Sequence, residues 1–286
     1  MLSTNEIIAK VGDLPSLPAV AARINAEIEN ENLSAKLLGA IIAEDPSLAS
    51  RMLRLANSAF YGMPRQIASI ERAVMVLGFD TVKNLALSIS IFSFFQKGIS
   101  PAINVIGLWN HSLGVAVSAK ILVSRINAKL AEQAFLFGIV HDVGKIALIS
   151  QCLGDMEQVY RHISQDGLSQ EAAEMKVFGF PHQKIGALLI KEWKFPEMFV
   201  TGVKLHHDLP PVLKECDENT SHLTRTLCVA NQLAKALALG ISTNPSRETI
   251  PSVLWGYLGV NRQDLPALST AVREDYQRII QSWHME

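Results

Sequence analysis

Cysteine, charge and nucleotide-loop motifs are all scarce in this chain. Only Cys152, Cys216 and Cys228 carry thiols among 286 residues. They are far apart and form no C-x-x-C pair, which excludes a disulfide framework and a thiolate zinc site and suits a reducing cytoplasm. Charged residues make up 19% of the chain and the net charge is −1. That balance gives no general attraction to nucleic acid or to an anionic membrane, so neither is expected as a partner. The N-terminus has no basic stretch followed by an apolar run, so no secretory signal is expected. The apolar segment Leu85 to Phe95 is about half the length of a membrane span. No Gly-x-Gly-x-x-Gly or Walker loop occurs, which excludes the common nucleotide folds, and no Gly-x-Ser-x-Gly elbow supports a serine hydrolase. Histidine, finally, is missing from the first third: all eight lie at or after His111.

What is present is apolar and helical in period. Hydrophobic residues make up 49% of the chain, ample for a large core. No alternating strand pattern stands out, so the expected class is all-α, with two lobes. Leu14-Pro-Ser-Leu-Pro18 breaks the chain, with Ser16 as N-cap and Pro18 just inside the next helix. Ser34, Asp45 (followed by Pro46), Ser69 and Asp80 open further helices, with Leu37 and Val76 among the residues counted as inside. Lys97-Gly-Ile-Ser-Pro101 divides residues 1–100, an N-terminal helical lobe, from residues 101–286, a histidine-bearing lobe with a C-terminal helical extension.

The stretch Gly138-Ile-Val-His-Asp-Val-Gly-Lys145 dominates the second lobe. Apolar residues on both sides read as one buried helix. An uncompensated buried charge costs several kcal/mol, so His141 and Asp142 need partners. The polar groups in similarly apolar helical context are His111, His182, His206, His207 and Asn231, spaced by about one helix plus a connection. Helices meeting in a bundle bring such groups to one level, the usual construction of a first-row metal site. Nitrogen and oxygen donors without sulfur favour Fe, Mn or Zn, as one ion or as two bridged by Asp142. Blander readings stand beside this one. His111 could be a core histidine, His182 a half-exposed capping residue and Asn231 a surface amide. One of His206 and His207 could face solvent, and Lys145 could be a simple i,i+3 partner of Asp142.

His111, His141-Asp142, His182, His206-His207 and position 231 resemble the HD superfamily of metal-dependent phosphohydrolases, with spacing similar to its HD-GYP branch. Leu14-Pro-Ser-Leu-Pro18, Ile41-Ile-Ala-Glu-Asp-Pro46, Leu53-Arg-Leu-Ala-Asn-Ser58, Ser69-Ile-Glu-Arg-Ala73 with Leu77-Gly78, and Trp193 with Pro196, are similar to the HDOD domain, over about residues 14 to 240. The HDOD resemblance implies a cytoplasmic, bacterial signalling-output module working through contacts with signalling proteins. The HD resemblance implies His111, His141, Asp142, His182, His206, His207 and position 231 as metal ligands. Asp142 and Lys145 would serve catalysis, Lys145 by contacting phosphate. It also implies a nucleotide or cyclic dinucleotide as ligand. Two departures weaken the enzymatic expectation. Asn231 stands where the family has Asp, and no Gly-x-Gly-Tyr-Pro loop follows His206-His207. A regulatory module and an active phosphohydrolase are therefore both carried forward.

Overall fold

The computed structural model of the chain describes residues 4–12, 14–27, 34–95, 103–208, 216–242 and 250–284. Among the described residues, six helices precede residue 96: α1 (Thr4–Val11), α2 (Ala19–Ala26), α3 (Ala35–Ala43), α4 (Pro46–Ala56), α5 (Ile70–Leu77) and α6 (Phe79–Phe95). Ten follow: α7 (Val105–Ser124), α8 (Ala131–Val140), α9 (Val143–Gln151), α10 (Leu153–Asp166), α11 (Gln170–Val177), α12 (His182–Glu192), α13 (Glu197–Leu205), α14 (Glu218–Ala236), α15 (Ser252–Tyr257) and α16 (Leu265–His284). The described residues contain no strand, as the helical periodicity implies.

Local chemistry explains the starts of several early helices. The Ser34, Asp45 and Ser69 side chains accept from the backbone N–H groups of Leu37, Leu48 and Arg72. Each satisfies a donor that the first turn leaves orphaned. Gly78 closes α5 at φ 94°, a conformation that favours glycine. The expected cap at Ser16 is not formed. Helix α2 begins at Ala19, with Pro18 in extended backbone at the cap position and no side-chain cap. Leu37 and Val76, expected inside, are exposed, because the buried faces of α3 and α5 are carried by Leu38, Ile41, Ile42, Ile70, Ala73 and Val74. Val20 is only half-buried, and Ile28 and the segment Lys97–Pro101 lie outside the described residues.

The buried centre is α7, which packs against α8, α14 and α16, while α12 packs on α9 and α13. Helix α7 and the largely helical stretch 128–151 are long and apolar enough to cross a membrane. Their apolar windows are, however, 78% and 89% buried inside this protein. They, rather than Leu85–Phe95, are the longest apolar helical stretches, and their partners are other helices. One continuous apolar core joins early and late elements. Phe92 of α6, Trp109 of α7 and Trp283 of α16 stack with ring centroids 4.8–5.3 Å apart. Asn25 of α2 ties in from the other side, donating to the carbonyls of Trp193 (2.7 Å) and Lys194 (2.9 Å). The Trp193 indole N–H donates back to Pro15 O.

The single helix expected around His141 is in fact two. Helix α8 ends at Val140, a turn holds His141 and Asp142, and α9 starts at Val143. Consecutive residues in an unbroken helix project about 100° apart. The turn relaxes that constraint and lets His141 and Asp142 face the same centre. Helix α10, amphipathic but rich in charge, was not anticipated from the sequence.

Candidate metal centre

Three connections and helix ends, together with α14, converge beside α7. His111 comes from α7 itself, His141 and Asp142 from the α8–α9 turn, His182 from the first residue of α12, and His206 and His207 from the end of α13. Asn231 comes from α14. His111, His141, Asp142, His182, His206 and Asn231 are each no more than 3% exposed, and His207 is half-buried. The blander readings of His182 as a half-exposed cap and of Asn231 as a surface amide are thereby overturned. Their apolar flanks carry them into the core.

Glycine makes this convergence possible. A Cβ at Gly144 would sit 2.1 Å from the His182 carbonyl oxygen and 2.7 Å from the Gly186 nitrogen. Helices α9 and α12 thus meet backbone to backbone, beside Asp142 and His182. Gly240, at φ 65°, lies equally close to the backbone of His111. The preceding Leu239 carbonyl is the acceptor for His111 Nδ1 at 3.1 Å.

Each ring is held through one nitrogen. His141 Nδ1 lies 2.7 Å from Gly138 O and His206 Nδ1 2.7 Å from Val203 O. A carbonyl only accepts, so Nδ1 carries the proton in both rings, and Nε2 is directed at the centre. His182 is held by a carboxylate instead. Its Nδ1 lies 2.8–2.9 Å from both Glu174 oxygens, its backbone N–H donates to Glu174 at 2.8 Å, and Gln170 donates to Glu174 at 2.5 Å. Glu174 and Gln170 are fully buried and were missed in the sequence. Their helix, Gln-Glu-Ala-Ala-Glu-Met-Lys, reads as a solvated face. The one available signal was Glu174's position eight residues before a histidine at a helix start.

At the centre, Asp142 Oδ1 lies 3.2 Å from His182 Nε2 and 3.4 Å from His206 Nε2, and those two nitrogens are 3.4 Å apart. Asp142 Oδ2 lies 2.8 Å from Lys145 Nζ and 3.3 Å from His141 Nε2. Two sets of groups fall within metal-binding reach: Asp142 with His182, His206 and His207, and His111 with His141 and Asp142. Burial pushes His111 and His206 down to about 3 and His207 well below its ordinary value. Burial opposes ionisation of Asp142, but His141 and the Lys145 ammonium beside it outweigh that and hold the carboxyl well below the usual range. Burial likewise opposes charge on His182 and Glu174. Each outweighs it for the other, so His182 is raised and Glu174 lowered.

The donor set fits a cation. His141 Nε2, His207 Nε2 and Asp142 Oδ1 are buried without a hydrogen-bond partner. His206 is neutral with its only proton on Nδ1. Acceptors therefore outnumber protons at one point, a cost of about 1–3 kcal/mol per unsatisfied group unless a cation is shared among them. The donors are imidazole and carboxylate, the set that suits first-row divalent metals. The Cys228 thiol, also buried, approaches the Leu205 and Asp208 carbonyls instead.

The family follows from both the fold and this placement. A model of the HDOD domain matches residues 14–209, more than half of the chain. The chain belongs to the HDOD domain family. Its fold is that of an HDOD domain protein of unknown function from Geobacter sulfurreducens, with a TM-score of 0.83 at 23% identity over 98% of this chain and 97% of the other. A candidate phosphohydrolase from Shewanella amazonensis SB2B aligns with a TM-score of 0.74 at 24% identity, over 97% of each chain. An uncharacterized protein of Treponema pallidum is 24% identical over 232 residues. This chain spans 44% of that relative's length. These likenesses carry the fold.

Proposed function

We propose that this chain is a cytoplasmic, bacterial signal-transduction output module whose buried histidine–aspartate centre holds a divalent transition metal, Fe, Mn or Zn, and which acts through contacts with signalling proteins. In this reading residues 1–100 form one lobe and residues 101–286 the other, with the metal residues all in the second. One observation carries the reading: Asp142, His182 and His206 are at most 3% exposed while Asp142 Oδ1 and His207 Nε2 lack partners. Donors sealed in this way suit an ion that fixes the mutual positions of α7, α8, α9, α12 and α13. They suit repeated substrate exchange poorly.

His111, His141, Asp142, His182, His206, His207 and Asn231 are the residues in reach of such an ion. A second reading, metal-dependent hydrolysis of a nucleotide or cyclic dinucleotide, is favoured by Asp142 serving both donor groups and by Lys145 beside it. Lewis acidity toward a phosphoryl oxygen is the chemistry a bound ion supplies there. In this chain Lys145 would have to leave Asp142 to meet a phosphate, and Asn231 supplies no negative charge. Metal analysis of the purified protein, followed by a phosphodiesterase screen with added Mn or Fe, separates the readings. The module reading expects bound metal and no turnover, in the wild type and in Asn231→Asp. Turnover that depends on Asp142 would establish the second reading.

A further inference from the structure

We infer that the centre holds a single metal ion, on the Oδ1 side of Asp142, because the protein's own groups have closed the Oδ2 side. The inference rests on the metal reading above and concerns which donors remain free for an ion.

On the Oδ2 side every donor but one is already in use. Lys145 Nζ donates to Asp142 Oδ2 at 2.8 Å, and both residues are buried. The pair is electrically neutral, so an ion arriving there would have to displace an ammonium group that is 1% exposed. His111 Nδ1 donates to Leu239 O at 3.1 Å. Its Nε2 lies 3.1 Å from Asn231 Oδ1, so both ring nitrogens already have protein partners. Only His141 Nε2 is left.

On the Oδ1 side two donors lack a partner, the His182 and His206 Nε2 atoms meet each other at 3.4 Å, and the charge is present. Asp142 Oδ1 and His207 Nε2 have no hydrogen-bond partner, and His206 Nε2 carries no proton. His182 is backed by the buried carboxylate of Glu174, itself fixed by Gln170. A carboxylate on the far nitrogen raises the basicity of a histidine ligand and fixes its ring. The other rings rest on neutral carbonyls. Asp142 and Glu174 thus place their negative charge toward one ion, and Lys145 stands as a protein-held cation where a second would go. Lys145 is in this account a residue that sets metal number, acting through Asp142.

The test is metal stoichiometry and spectroscopy. Wild-type protein loaded with excess Mn and desalted should retain one ion per chain. Its electron paramagnetic resonance spectrum should be that of an isolated Mn ion, without exchange coupling. Removing an Oδ1-side ligand, as in His182→Ala or His207→Ala, should abolish the ion, whereas His111→Gln should keep it. Lys145→Met with Asn231→Asp frees Oδ2 and restores a carboxylate, and should bring in a second, coupled ion. Two coupled ions in the wild type, or loss of the ion in a folded His111→Gln variant, overturns the inference while leaving the metal reading intact. No ion with Mn, Fe or Zn overturns both. The wild-type measurements decide the number of ions even if a variant fails to fold.

Discussion

In α6 the buried hydroxyls of Ser88 and Ser90 donate to the carbonyls of Asn84 and Ala86, one turn back along the same helix. The His141, His206 and Asp142 side chains are just as buried, yet their inward-facing atoms meet groups from other helices. Several find no proton to share. In α6, then, buried polarity is satisfied one turn back, as it is for Ser112 and Ser118 of α7, and constrains little beyond its own turn. The inward-facing atoms of the histidine–aspartate cluster depend on tertiary structure, and are satisfied incompletely. Unspent bonding capacity at the centre of a packed core is what distinguishes a site from scaffolding.

The contrast can be broken most severely at the glycines. Gly144→Ala drives a Cβ into the His182 and Gly186 backbone, which cannot move aside as a side chain can. A loss of about 3 kcal/mol or more is expected. Gly39→Ala meets only the flexible end of Glu71 at 3.1 Å and should cost little. Urea unfolding midpoints of the two variants measure the difference, and equal midpoints would contradict the close α9–α12 approach.

Removing Glu174 is the next largest test. Glu174→Ala leaves His182 buried without its counter-charge, at a cost on the order of 3 kcal/mol in a metal-free sample. Metal affinity should fall by roughly 10–100-fold. Calorimetry on chelated and metal-loaded protein reads the two effects separately. Glu44→Ala, which breaks a half-exposed ion pair with Arg23 among the early helices, should cost far less.

Acid should discriminate between the regions in the same direction. His111, His206 and His207 are held neutral by burial, and the unfolded chain protonates them near pH 6.5. The unfolded state then binds more protons, so stability falls as pH drops below about 6.5, by up to about 1.4 kcal/mol per pH unit for each imidazole. His182 opposes this. Its raised value contributes stability below the unfolded value that is lost as pH rises through the folded one. Asp142 and Glu174 lose their contribution as pH falls further, through their lowered folded values. Thermal unfolding of the chelated protein between pH 4.5 and 8, endpoints of roughly the titrating range, should therefore show a steep acid limb that His206→Ala flattens.

The smallest effect belongs to the early helices. Asp45→Ala removes an acceptor for the Ser47 and Leu48 N–H groups and should cost about 1 kcal/mol, with metal content unchanged. A change in metal content would show that the two regions are coupled more tightly than their hydrogen bonds indicate.

Legibility followed the same division. The caps at Ser34, Asp45 and Ser69 were readable because capping is a contract between neighbours in sequence. The histidines were readable as candidates because a polar residue in an apolar run demands an explanation. Glu174 was not, since its own helix is polar and its burial depends on α12 folding over it. The break at His141–Asp142 was also hidden, because apolar residues continue on both sides and periodicity does not register one turn.

By itself, the sequence determined the helical class, the local starts of its helices and the inventory of nitrogen and oxygen donors, since these depend on residue type and on contacts a few positions apart. Only the tertiary structure decided which lone pairs are spent and which are free. Asn231 meets His111 and Glu174 stands behind His182 through the angles at which helices cross, and hydrogen bonding is directional where sequence spacing is not.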